Sequence, residues 1–200
     1  MFNSGITVKS IIEQIQDEAD ISIAIPNGSY VMWLNALEQL LYTELIQEQG
    51  KIELDGEIGD VVSINTINVP DGENAVRFED IHAIYADETQ LIKSTVTSGM
   101  LFPNTYYKIQ NDIGLNLKNQ PEKLKVIYFV RPALKTEQNI SADIVMLPVE
   151  FIDLVKSKLR GEAYKLANEN SLAAKWINDY NVLLEIFKAW LSEKQSEFGL

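Results

Sequence analysis

The hydrophobic period of this chain changes twice, and that double switch restricts its fold more than any single motif. Both ends carry apolar residues at steps of three and four, as one-sided helices do, whereas the middle alternates and is rich in β-branched residues. The helical signal is clearest near the C-terminus. There "KLANENSLAAKWINDYNVLL", residues 165–184, joins two helical patterns at a polar joint of Asn168, Glu169, Asn170 and Ser171. Before the joint the stripe is Phe151, Leu154, Val155, Leu159, Ala163 and Leu166; after it, Trp176, Ile177, Tyr180, Leu184, Phe187 and Leu191. A joint this short makes the two helices antiparallel neighbours.

At the other end, Val8, Ile11, Ile12 and Ile15 predict a helix over 7–20, with Glu13, Asp17 and Glu18 on its far side. Pro26 and Asn27-Gly28 interrupt the chain, and Asn27 or Ser29 is placed to cap a second helix over 30–49. Its core face is Tyr30, Trp33, Leu34, Leu37, Leu40, Leu41 and Leu45. Strand-like segments follow: "GDVVSINTINV", "DIHAIYADETQLIKSTV" with a turn at Ala86-Asp87-Glu88, "NTYYKIQND", "IGLNLKN" and "KLKVIYFVRP". In the last of these Val126, Tyr128 and Val130 face one way and Ile127 and Phe129 the other, so both faces require cover. Pro132 ends it.

The expected fold is α+β: an antiparallel helical bundle of about four helices with an inserted small antiparallel β-sheet domain. Its parts are N-terminal helices over 1–60, the β domain over 61–131, a linker loop over 132–147, and a C-terminal hairpin and tail over 148–200. Leu147-Pro148 opens the hairpin, since proline suits a first helical turn.

Composition excludes several functions. The chain has no cysteine, which removes disulfides, thiolate metal sites and thiol nucleophiles. No run of about 18 apolar residues can span a bilayer, and the N-terminus lacks a leader's basic start and apolar stretch. A cytoplasm-like compartment and no membrane partner are therefore expected. The net charge of −12 is concentrated: residues 1–60 hold 11 acidic and 2 basic side chains, residues 148–200 hold 8 and 7. Such a first third repels polyanions, so it reads as a solvated face or as a surface that nucleic acid passes without adhering.

Individual candidates for chemistry are weak. His82 is the sole histidine, and one imidazole cannot make a multi-ligand zinc site; its alternating context reads as a cross-strand or surface position. "ELDGEIGD", residues 53–60, gathers carboxylates around glycine but lacks the alternation and closing glutamate of an EF-hand, so it reads as a connecting turn. There is no glycine-rich phosphate loop and no G-x-S-x-G elbow. No catalytic residue, metal or cofactor is assigned, and the chain is not expected to be an enzyme. Lys156, Lys158, Arg160 and Lys165 are the one basic concentration, yet Glu150, Asp153, Glu162 and Glu169 share that helix, which predicts charge pairs. Trp33 and Trp176 read as core. Trp190, beside the apolar "FGL" of 198–200, either docks on its own domain or anchors another chain.

Four segments carry a family likeness: "NTYYKIQNDIGLNL" (104–117), "KVIYFVRPAL" (125–134), "LPVEFIDLVKSKLRGEAYKLANENSLAAKW" (147–176) and "YNVLLEIFK" (180–188). Together they resemble the head-tail connector, or adaptor, proteins of tailed bacteriophages. Tyr128 and Pro132 match that family's strand-ending Tyr-x-x-x-Pro, and Leu147 and Pro148 match its helix start. Glu162, Ala163, Tyr164, Ala173, Ala174 and Tyr180 match its helical pair. The resemblance implies a structural virion protein of the head-tail junction, assembled in the host cytoplasm. It further implies a ring of about 12 copies beneath the portal protein, with the bundle on the portal and the sheet against the next tail or stopper component. DNA would pass through the ring's channel without sequence-specific binding. By the same analogy Trp190, Leu191, Phe198, Gly199 and Leu200 are expected to dock on the portal. Glu38, Glu44 and Glu48 are expected to line the channel as like charges that prevent adhesion. Ala167, Ala173 and Ala174 would let sister copies approach closely.

A reading of another class rests on the residues alone. Tyr85, Tyr106, Tyr107 and Tyr128 could form a stacking platform on the sheet of a carbohydrate- or peptide-binding module.

Overall fold

A computed structural model of the chain describes residues 2–63, 76–95 and 102–198, with side chains as far as Lys194. Among them the chain is α+β, with four α-helices and two four-stranded sheets. It divides into a helical unit, Met1–Ile46 with Leu134–Leu200, and a β unit, Gln47–Ala133.

In the helical unit α1 (Val8–Glu18) buries Val8, Ile11, Ile12 and Ile15, the stripe its period predicts. The Thr7 hydroxyl accepts from the Ser10 amide at 3.2 Å, while the Val8 and Lys9 amides donate to the Asp143 and Ile140 carbonyls, each at 2.9 Å. The opening turn thus finds acceptors for amides that a helix leaves orphaned. α2 (Asn27–Leu41) begins behind Pro26, whose φ of −61° suits a helix entry; neither Asn27 nor Ser29 caps it. Asn27 Oδ1 instead accepts from Gln16 Nε2 at 3.3 Å. Leu34, Leu37 and Leu41 are buried, but Leu40 turns outward and Trp33 is half-buried. The helix continues only as a π-helical turn over Tyr42–Ile46. It stops short of the expected Gln49 because Gln47 takes a left-handed φ of 47° and Gln49 enters a strand.

Segment 132–147 is more than a linker. From Leu134 it belongs to the helical unit, buries Val145 and Leu147, and bridges Ile144 to Thr7 in antiparallel fashion. Pro148 then leads a 3-10 turn (Val149–Phe151) into α3 (Ile152–Leu166). α4 (Asn170–Phe198) follows a turn through Asn168, at φ 60°. α3 and α4 lie so close that a Cβ on Gly161 would sit 3.0 Å from Ile177 Cγ1 and 3.7 Å from the Ala173 carbonyl. It is the smallness of Gly161 that permits this approach, and Ala173, expected to face a sister copy, is buried within the chain. Ala174 is exposed, Leu166 is outward, and Trp176 is half-buried rather than core.

The β unit contains β1 (Gln49–Asp55), β2 (Val61–Ser63), β3 (Ile81–Ala86), β4 (Thr89–Gln90), β5 (Ile92–Ser94), β6 (Thr105–Ile109), β7 (Asp112–Asn116) and β8 (Lys123–Phe129). One sheet has the order β1-β8-β3-β4 and the other β2-β7-β6-β5. All pairs are antiparallel except β5 with β6, so the expectation of a purely antiparallel sheet is corrected. Both sheets contribute to one apolar core. In β8 Leu124, Val126 and Tyr128 are buried while Ile127 and Phe129 are half-covered. Two glycines are seats for tyrosine rings: a Cβ on Gly50 would lie 2.4 Å from Tyr128 Cζ, and one on Gly114 2.3 Å from Tyr107 Cζ. The stretch 53–60 is strand as far as Asp55 and turns at Gly56, whose φ is 104°. The expected strand sequence beyond Ser63, and Val96 of the next one, lie outside the described residues.

Candidate functional site

The end of α4 is an aromatic cluster closed within the helical unit. Trp190 stacks on Phe187 at 6.1 Å with planes 16° apart, meets Phe151 at 5.3 Å, and meets Phe2 at 5.7 Å. Phe187 is fully buried and Leu191 nearly so. Trp190 is half-buried by this packing, and with Leu191 it forms part of the chain's own core. That corrects the expectation that both are free to dock on a partner. The cause is tertiary: Phe151 arrives from the 3-10 turn before α3, and Phe2 from a segment whose amide donates to the Tyr42 hydroxyl at 3.0 Å. Phe198 is the last residue of α4; its side chain, Gly199 and Leu200 lie outside the described residues.

The three acids expected to share a channel wall do not share a surface. Glu38 is 1% exposed. Its Oε2 is paired with Lys135 Nζ, itself buried, and its Oε1 accepts from the Met146 amide at 2.8 Å. Burial pushes the Glu38 carboxyl above the usual glutamate range, opposed by Lys135 and the Met146 amide and assisted by Asp143. Glu38 is thus corrected from a channel-lining group to a buried clamp. Asn35, one helical turn earlier, holds the same strand of chain: Oδ1 accepts from the Lys135 amide and Nδ2 donates to its carbonyl, both at 2.9 Å. Glu44 is exposed on the π-helical turn. It adds to the effect of burial in holding the Tyr180 hydroxyl above its ordinary pKa. Glu48 belongs to the β unit, where its carbonyl accepts from the Val130 amide at 2.8 Å.

The hairpin's basic residues are paired as the sequence predicts: Lys158 with Glu162 at 2.8 Å, Lys156 with Asp153 at 3.5 Å, and Lys165 with Glu162 at 4.0 Å. Arg160 was not distinguishable from them in the sequence. It is 9% exposed, lies 4.6 Å from the centre of the Trp176 ring, and is ion-paired with Glu18 of α1. Beside it α3 and α4 form a groove of about 500 Å³, lined by Asp153, Lys156, Ser157, Trp176, Asp179 and Val182. From this groove outward α4 exposes Val182 (55%) and Ile186 (53%), one helical turn apart. α2 likewise exposes Met32 and Leu40. These groups are the strongest candidate interaction surface of the helical unit, because large apolar side chains on two of its helices stay about half exposed within the chain.

The tyrosine platform loses two members. Tyr106 and Tyr128 are core residues of the β unit, and burial raises both phenolic pKa values. Tyr107 is engaged over Gly114, and Tyr85 lies under Lys125 Nζ at 5.4 Å. His82 is exposed on β3 at a bulge in the β3–β8 pairing, its ring 5.2 Å from that of Phe129 across the strands. Among the described residues no helix is long and apolar enough to cross a membrane. Compared with protein-family models and with curated proteins, the sequence finds no match.

Proposed function

We propose that this chain is a structural subunit of the head-tail connector of a tailed bacteriophage virion, assembled as a ring below the portal and joining capsid to tail around a channel for DNA. In this reading the four helices act as an antiparallel bundle carrying an inserted β domain, and portal protein and the next tail or stopper component are its neighbours. One observation carries the proposal. α4, whose inner face closes the core through Tyr180, Phe187 and Leu191, keeps a second apolar stripe at Val182 and Ile186 in solvent, where a neighbouring subunit can cover it. The family likeness of the hairpin and of the strand ending at Pro132 supports the same assignment, and Glu44 remains an exposed acid suited to a surface that DNA passes.

The test is reconstitution with purified portal rings, read by sedimentation and negative-stain imaging. Wild-type protein should add a ring of density to the portal, and Val182→Glu with Ile186→Glu should stay folded yet fail to do so. A chain ending after Glu193 keeps the Trp190 and Leu191 core and should fold while losing portal binding. Wild-type protein that never associates with portal, at any concentration that the monomer tolerates, overturns the assignment.

A further inference from the structure

Residues 135–146 hold to the helical unit in an unusual way. Between Thr136 and Met146 only Val145 is buried, and 136–139 are exposed. Beyond Val145 and the side packing of Ile140 and Met146, what fixes the segment is polar: Glu38 takes Lys135 Nζ on one carboxylate oxygen and the Met146 amide on the other, and Asn35 holds the Lys135 backbone. The middle of the segment in turn holds the N-terminus. The Ser4 amide and hydroxyl donate to the Val145 carbonyl at 3.2 and 2.9 Å, and the Val145 amide donates to the Ile6 carbonyl at 3.0 Å. The Asp143 and Ile140 carbonyls accept the first two amides of α1.

We infer that residues 135–146 are a latched strap, which opens together with residues 4–9 as one cooperative unit while the α3–α4 hairpin stays closed, and that Glu38 is its latch. The physical reason is the imbalance of forces. Segments held by few buried apolar groups and many hydrogen bonds occupy the low-stability end of a domain's openings. Here those bonds are chained: losing Glu38 releases the Met146 end and leaves the Lys135 end on its two Asn35 bonds alone, and a loosened strap withdraws the acceptors of Ser4, Val8 and Lys9 at once. The hairpin is different, because Leu154, Leu159, Ala163 and Phe187 bury its contacts in an apolar core to which the strap adds only Val145, with Ile140 and Met146 packed against it from the side. The device is independent of the phage assignment. Any partner that engages residues 4–9 through their backbone must first undo the latch.

Amide hydrogen exchange on the full chain tests this, using two variants placed at opposite ends of the chain of bonds. Glu38→Gln keeps the shape but sets an uncharged amide against Lys135; Ser4→Ala removes the hydroxyl that donates to the Val145 carbonyl and accepts from the Ile6 amide. Glu38→Gln should speed exchange at Ser4, Val8, Lys9, Val145 and Met146 by a common factor of about tenfold or more, and Ser4→Ala at the same amides by about two- to tenfold. The coupling must be reciprocal, since it is a free energy shared by both sites. Amides of α3 and α4 should keep wild-type rates in both. A change confined to the mutated side overturns the proposal, as does one that spreads equally through α3 and α4. If Glu38→Gln does not fold, Ser4→Ala alone decides, by whether Met146 and Lys135 respond.

Discussion

Replacing Glu38 by leucine should be among the most damaging single changes to the helical unit. Leucine fills a similar space but leaves the Lys135 ammonium, 6% exposed, without its counter-charge and the Met146 amide without its acceptor. Breaking a buried pair from one side costs about 3–5 kcal/mol. With a urea dependence of about 1–3 kcal/mol per molar, that moves the midpoint down by about 2 M. Lys135→Met should cost less, about 2–4 kcal/mol, because a carboxyl left alone in an apolar site can escape by taking a proton. The double variant is the decisive one. Apolar replacement of a whole buried pair is near neutral or favourable, offset here by about 1–3 kcal/mol for the orphaned Met146 amide, so it should lie within about 2 kcal/mol of wild type. Trp33, Trp176 and Trp190 are all the tryptophans of the chain and all lie in the helical unit, so their fluorescence reports this transition apart from the β unit. A single-variant loss below about 1 kcal/mol, or a double variant as damaged as the two singles summed, refutes the argument. The pH dependence gives a second check. Glu38 has a raised carboxyl in the folded state, so its contribution is greatest below the ordinary glutamate value of 4.5 and is lost as pH rises through its folded value. Wild type should therefore gain on the double variant as the solution is acidified from neutrality toward 4.5.

Three further predictions follow from other contacts. Trp190→Ala should destabilise the helical unit by about 2–4 kcal/mol in the same fluorescence assay, read through the two remaining tryptophans; a loss below about 0.5 kcal/mol would mean that Trp190 is free to dock elsewhere. Gly114→Ala should cost about 1–3 kcal/mol by calorimetry because its methyl meets the Tyr107 ring, and little in a Tyr107→Ala background; equal costs in both backgrounds refute the contact. Glu169 is held below the usual glutamate value first by the Ser22 hydroxyl and then by its amide, so Ser22→Ala should move its NMR titration upward toward 4.5. That group's stabilising share is present above the ordinary value and lost as pH falls, so the variant should lose less on acidification; an unmoved titration counts against the hydrogen bond.

Much of the fold was legible because it depends on local period. The stripe Val8, Ile11, Ile12, Ile15 and the joint at Asn168 needed no knowledge of distant residues, and the alternation of 126–130 marked β8, which ends at Phe129, equally well. The end of α2 was not legible. Leu45 and Ile46 continue a helical pattern, and only pairing of Gln49 and Gly50 with Phe129 and Tyr128, about eighty residues away, draws the chain into a strand. The candidate site was read least well. Glu38, Glu44 and Glu48 look alike in sequence, since charge is visible there and burial is not. Lys135, the partner that made Glu38 a core residue, lies 97 positions away and carried no signal of its own. Trp190 was undecided for a related reason: an aromatic near a chain end docks inward only if rings such as Phe2 and Phe151 are there to receive it.

By itself, the order of residues determined where helical and strand periods run, that thiol chemistry is absent, and that Lys156, Lys158 and Lys165 of the hairpin pair along their own helix, because these rest on composition or on neighbours within one or two turns. Tertiary structure alone decided which acid is buried, which tryptophan faces inward and which side of α4 stays in solvent. Burial is a property of what arrives from elsewhere in the chain, and neither desolvation nor a ring's partner can be read from a position and its near neighbours.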